Sequence, residues 1–341
     1  MVTFRFYLVS IVAFFLALAV GVVLGSVLDG GISDSLKDRL ARVEANLNDT
    51  VASIDDKNTE IKELQQYVDE SAPFAVEGQL LDTTAVVVVE PGVELGPVQD
   101  LVQRVRQSGA SVAGILALDP RWDLKDKADR EQFAQIAKSS DIPVAQLQRL
   151  AWQLILGSAA PGSTATTSTT STTAAVAEDS STSVPNTTAV PSPFAELSNN
   201  AVLKQLEEAG FLQLLDVDGT DGAGGQLSAL FLVTGTDSTL ARPGAAAGEL
   251  ASTATSLKIP TVLAEVFVPP AAEQKDPQER GDILRAALVG KEAGISTVND
   301  LELVAGRVAS VLAAADLQKG ISGNFGYGPG VDGVLPQWIG P

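Results

Sequence analysis

The sequence predicts an α/β protein: an N-terminal transmembrane helix, a coiled-coil stalk, then a mostly parallel-sheet α/β extracytoplasmic domain. Three observations predict it. An almost charge-free run fills residues 6–28. A 4-3 spacing of apolar residues follows from Leu36 to Val68. Beyond Pro73, continuous apolar runs alternate with amphipathic ones, as in buried parallel strands joined by helices.

The apolar run comes first. Its 23 residues contain only Ser10 and Ser26 as clearly polar side chains. A bilayer core of about 30 Å needs roughly 20 helical residues, so the run is long enough to span. No A-x-A pattern follows it, so an uncleaved anchor is expected, with a cleaved signal as the alternative. Arg5 and the amino terminus precede the run, and Asp29 and Asp34 follow it. Positive charge stays in the cytoplasm, which puts residues 1–5 inside and the rest outside. Ala13, Ala17, Gly21 and Gly25 recur every four residues on one helix face. Small-xxx-small spacing lets two helix backbones approach in lipid, although Gly and Ala are common in membrane helices anyway.

The stalk is expected over residues 32–70. Leu40, Leu47, Ile54, Ile61 and Val68 fall at a, and Leu36, Val43 and Leu64 at d. Such a seam over more than four heptads predicts a coiled coil, and two chains anchored in one membrane must lie parallel. Thr50 and Lys57 occupy the remaining d positions and weaken the middle. The alternative is a long amphipathic helix packed on its own domain. Pro73 predicts the end of the helix.

The head begins at about residue 80. Thr83–Gly92 reads as a buried strand ended by a turn, and Ala110–Leu118 as a second one. The helix between them places Val98, Leu101, Val102 and Val105 on one face and stops at Gly109. Helices are predicted over Arg130–Lys138 and Val144–Leu156. Residues 161–193 are Ser/Thr/Ala/Pro-rich and aperiodic, which predicts a disordered, exposed insertion open to O-glycosylation. The alternation then resumes. Helices are predicted at Phe194–Ala209, Ala245–Leu257, Gly281–Val289 and Leu301–Leu317, and strands at FLQLLD, QLSALFLVTG and Pro260–Phe267, with STVND a short strand or turn. Residues 80–160 and 194–320 read as two halves of one domain, with two small domains as the alternative. Residues 321–341 read as a Gly-rich tail laid over the surface.

Composition excludes several chemistries. The chain carries a formal charge of −19 without a strongly basic run, which argues against nucleic acid as a partner. It has no cysteine and no histidine, and its one methionine is Met1. Disulfides, thiol catalysis and iron–sulfur sites are thereby excluded. GPGVDG (Gly328–Gly333) has the spacing of a dinucleotide fingerprint but no room for the βαβ unit around it. Asp216, Asp218 and Asp221 crowd Gly219, but an EF-hand loop would need a glutamate where Leu227 stands. Asp119, Asp123 and Asp126 beside Trp122 read as a charged surface loop. No nucleophile–base constellation is visible. No enzymatic role, catalytic residue, cofactor or metal site is assigned.

VSIVAFFLALAVGVVLGS at the amino end, the coiled coil after it, ISTVNDLELVAGR (Ile295–Arg307) and the GISGNFGYGPG tail resemble the mycobacterial copper-transport protein B family of actinobacteria. The resemblance covers nearly the whole chain. It implies an anchor, a stalk and an extracytoplasmic α/β domain. The family name implies copper efflux, copper homeostasis or an outer-membrane channel. Some relatives are linked instead to cell division, acting with a cytoplasmic partner to control peptidoglycan hydrolysis. Copper(I) prefers thiolate or thioether ligands and copper(II) imidazole, which this chain lacks past Met1. The expectation is therefore a parallel homodimer in the cytoplasmic membrane, with the outer membrane as alternative. Its expected role is an envelope scaffold or regulator with a cell-envelope or division partner.

Overall fold

The computed structural model describes residues 4–139, 141–157, 197, 199–215, 227–235, 246–269, 279–287 and 294–337. The chain divides into two units, Met1–Tyr67 and Val68–Pro341. The first unit consists of most of α1, a helix that runs from Phe4 to Val76. Gly30 and Gly31 each cost a helix interior about 1 kcal/mol, yet the helix continues through both.

Pro73 does not end α1, as its sequence position predicts; the helix runs to Val76. The missing N–H of Pro73 costs one helical bond. Its carbonyl still accepts from the Glu77 N–H at 3.0 Å. Ala72, Val76 and Leu80 are buried in the second unit, and that burial holds the last turn.

The second unit continues with β1 (Thr84–Val89), α2 (Leu95–Gln107), β2 (Ser111–Leu118), a short 3-10 turn (Pro120–Asp123), α3 (Lys127–Ile136) and α4 (Val144–Leu156). After residues 158–196 come α5 (Ala201–Glu208), β3 (Leu212–Leu215), β4 (Leu227–Gly235), α6 (Ala246–Ser256) and β5 (Thr261–Val266). Then follow α7 (Asp282–Ala287), β6 (Ile295–Val298), α8 (Val304–Gln318) and β7 (Asn324–Phe325). The strands form one sheet of order β3-β2-β1-β4-β5-β6-β7. Every pairing is parallel except β2 with β3. The sequence therefore predicts the mostly parallel sheet correctly, and β3 is its antiparallel edge.

β1 and β5 are buried at every position, as continuous apolar strands between two helical layers should be. Alternate residues feed two cores. Val87, Phe231 and Val262 face α2, α8 and the end of α1. Val88, Leu232 and Leu263 face the other layer, which includes α4, α5 and α6. Trp122, Phe133, Trp152 and Phe211 form an aromatic cluster there, with ring centroids 4.7–5.2 Å apart. Arg149 on α4 donates to the buried Glu249 on α6 at 2.6 and 2.8 Å, joining two helices of this layer.

Of the helix predicted over Phe194–Ala209, Leu197 is helical, and residues 194–196 and 198 lie outside the described residues; after a break at Asn199–Asn200, α5 begins at Ala201. Asn200 is its cap. The Asn200 side-chain oxygen accepts from the Val202 and Leu203 N–H groups, both at 3.0 Å, and its amide donates to the Leu154 carbonyl at 2.8 Å. Asn200→Ala is expected to cost about 1–2 kcal/mol, read as a lower denaturation midpoint. Asn200→Asp keeps the cap and loses the donor, so it should recover only part of that. The predicted 161–193 insertion and the Asp216–Asp221 cluster lie outside the described residues.

The tail differs from its prediction. Asn324 and Phe325 pair with Thr297 and Val298, so it adds a strand to the sheet. The chain then bends back, with Gly326 N–H donating to the Gly333 carbonyl at 2.9 Å.

Candidate functional site

Two features stand out: a helical seam open to solvent and a row of acids closed off from it. Tyr7–Gly25 is long and apolar enough to cross a membrane. It carries Ala13, Ala17, Gly21 and Gly25. A Cβ added at Gly21 or Gly25 would meet nothing within 4 Å, so no packing within this chain requires glycine there. Further along α1, Leu40, Val43, Leu47, Ile54, Ile61, Leu64 and Val68 are 38–69 % exposed in the single chain. The side chain of Leu36 lies outside the described residues. The two polar seam positions have local partners. Thr50 donates to the Asn46 carbonyl at 2.7 Å, and Lys57 pairs with Glu60 at 2.6 Å. The small face, the a positions and the d positions lie on one continuous helix.

The acidic row lies at the carboxyl ends of the parallel strands. Open α/β sheets bind ligands at that end, where the strand order reverses. Here the reversal falls between β1 and β4. Glu90 follows β1, and its carboxylate accepts from Thr234 on β4 at 2.6 Å. Thr234 pairs in register with Glu265 on β5. By strand alternation these three side chains continue the face of Val88, Leu232 and Leu263. All three residues are buried. A dinucleotide site needs glycines and helix N–H groups at this turn, whereas Glu90 places a carboxylate there.

The row ends beyond β6, at Asn299 and Asp300. Arg280 donates to the Asn299 carbonyl at 2.8 Å and pairs with Glu302. Glu302 also accepts from the Phe267 N–H at 3.0 Å. Asn299 clamps the tail: its amide donates to the Tyr327 carbonyl at 2.8 Å and its oxygen accepts from the Tyr327 N–H at 2.9 Å. Asp300 is fully buried. Burial pushes its carboxyl up to about 7, with Glu302 adding to the rise and Arg280 opposing it. Burial also lifts Glu265 to about 7, against the Gly281 N–H that its carboxylate accepts at 2.7 Å.

The other acids single out no site. Asp119 accepts from the Arg121 N–H at 2.9 Å and caps the 3-10 turn, Asp123 pairs with Lys125, and Asp126 precedes α3. Trp122 beside them is fully buried and Asp119 and Asp123 are half-buried, so of the three acids only Asp126 is exposed. GPGVDG lies in the bends after β7, with no helix following among the described residues. Sequence reading passes over Glu265 and Asp300. The available signal is a lone acid inside or directly after an otherwise apolar strand, in PTVLAEVF and ISTVND. Among the described residues, no group of three or more His, Cys, Asp or Glu side chains is arranged to hold a metal ion.

The fold and surfaces define a class: a mostly parallel α/β head in a chain whose long N-terminal helix begins with a membrane-spanning length of apolar residues. No curated protein matches the sequence. Residues 1–336 match the family model described as copper transport outer membrane protein, MctB, and the chain belongs to that family.

Proposed function

We propose that this protein is a membrane-anchored parallel homodimer, acting as a scaffold or regulator of the cell envelope in division and cell-wall hydrolysis. The observation that carries the dimer is the exposed 4-3 seam of α1, seven of whose apolar side chains are open in the single chain. Exposed apolar residues repeating at a and d are the signature of a helix that lacks its partner. The small-residue face of the span adds a second surface of close approach. The envelope role rests on the link of some relatives to division, which the resemblance implies, and on the expected outward orientation of the head. Its partner is expected to be a cell-envelope or division protein.

The absence of native cysteine makes the seam directly testable. Ile54→Cys, at an a position, is expected to form disulfide-linked dimers on mild oxidation in membranes. Asp56→Cys, at the outward c position, is not. Equal crosslinking at both positions, or none at either, would sink the parallel pair.

The family description supports a second reading, copper transport. The donor set argues for an indirect role, because soft copper(I) and imidazole-seeking copper(II) find neither Cys nor His here. A single spanning helix also encloses no pore. Copper(I) and copper(II) titrated into the full chain in nanodiscs are expected to give no tight stoichiometric binding. Tight one-to-one uptake would restore direct transport.

A further inference from the structure

Asp300 has no exposed surface, and neither of its carboxylate oxygens makes a hydrogen bond of good geometry among the described residues; only its own backbone N–H favours the charged form. It is wedged between two backbones. A Cβ on Gly306 of α8 would lie 2.7 Å from Asp300 Oδ1, and one on Gly326 of the tail 3.0 Å from the same oxygen. An ionised carboxylate cannot be held there cheaply without donors, whereas the neutral acid can. The tail is seated directly over this group. Asn299, its chain neighbour, makes both bonds to Tyr327 and a third from its own N–H to the Phe325 carbonyl at 3.1 Å.

We infer that Asp300 is a proton-operated latch for the C-terminal strap, residues 323–333. The neutral acid keeps the strap on β6, and ionisation releases it. Glu302 after β6 adds negative charge, and Arg280 opposes it. Arg280 is engaged by Glu302 and the Asn299 carbonyl. Asp282 and Arg285 of α7 pair with each other, Arg285 also donates to the Pro329 carbonyl of the strap at 3.3 Å, and the strap's own Asp332 accepts from the Asn324 N–H at 2.8 Å. Arg307 of α8 donates to the Leu301 and Glu302 carbonyls at 3.3 and 3.1 Å and pairs with Asp100 at 3.5 Å. Tyr327 meets Asn299 through its backbone.

The sign follows from linkage. With the strap seated, the carboxyl is raised to about 7, whereas a released Asp300 titrates near its ordinary value of about 3.9. Below about pH 4 both states are protonated and the strap is held most firmly. Between about pH 4 and 7 release becomes tenfold easier per pH unit, and above that range it levels off.

Hydrogen exchange of the full chain in nanodiscs, followed by mass spectrometry, tests the latch in peptides covering 323–333. After correction for intrinsic exchange, protection is expected to fall about 30-fold from pH 5.5 to pH 8. Asp300→Asn, which mimics the neutral acid, should make that protection independent of pH. Glu265→Gln should leave the wild-type dependence in place. Flat protection in the wild-type chain would overturn the latch, as would an unchanged pH dependence in Asp300→Asn. If Asp300→Asn fails to fold, Glu265→Gln decides: dependence retained supports Asp300, and dependence lost assigns the titration to Glu265 and overturns the latch.

Discussion

If the chain forms the proposed parallel pair, Ile54→Asp combined with Ile61→Asp is expected to dissociate it to monomers. The two side chains occupy successive a positions, and both are about half exposed in the single chain. In a parallel pair each would be buried against its counterpart. Removing an isoleucine from such a seam forfeits about 1.5–3 kcal/mol. Two sites in two chains give a loss of roughly 6–12 kcal/mol, before the repulsion of four carboxylates facing one another. Every 1.4 kcal/mol is tenfold in affinity, so dissociation should weaken the pair by more than about 10⁴-fold. The helix itself loses little, because both positions are already solvated and Asp is only a modestly poorer helix former than Ile. Mass measured by light scattering on the detergent-solubilised full chain reads the outcome. Asp56→Ala, on the outer face, should remain dimeric. If the double variant stays dimeric, the seam is not what joins the chains. Gly21→Leu with Gly25→Leu in the same background would then ask whether the span does.

Gly326→Ala is expected to destabilise the head by about 2–4 kcal/mol and to unseat the strap. Gly326 has φ +119°, which an alanine adopts only with strain. Its new Cβ would also lie 1.9 Å from Asn299 Oδ1, the atom that accepts from the Tyr327 N–H. Asn299 cannot move away without losing both bonds to Tyr327. Gly328→Ala separates the two effects. It too has a positive φ, +101°, but a Cβ there meets nothing within 4 Å. That variant should lose only about 1 kcal/mol. Urea midpoints at constant slope compare the two, and equal losses would show that the close approach to Asn299 carries no weight.

Most of the head is legible from apolar spacing. α4 begins and ends where its pattern does, at Val144 and Leu156, and α2 buries the four residues its periodicity selects. The direction of β3 is not legible, because a four-residue run such as LQLL reads the same either way. β7 is missed for a different reason. Two residues between glycines carry no alternation, and only pairing with β6 makes them a strand. The acidic row is hidden because sequence reasoning treats a lone acid at a strand end as solvent-facing. Glu265 and Asp300 are instead covered by structure distant in sequence, such as the Gly281 N–H and Gly326. The heptad seam is read from local spacing alone.

The bond from Asn200 to the Leu154 carbonyl has a consequence for how this fold accommodates change. It joins two residues 46 positions apart and fixes the places where the chain leaves α4 and enters α5. A change in the chain between the two ends can then leave α4 and α5 in place, so the Asn200 cap ties two helices together as well as starting one.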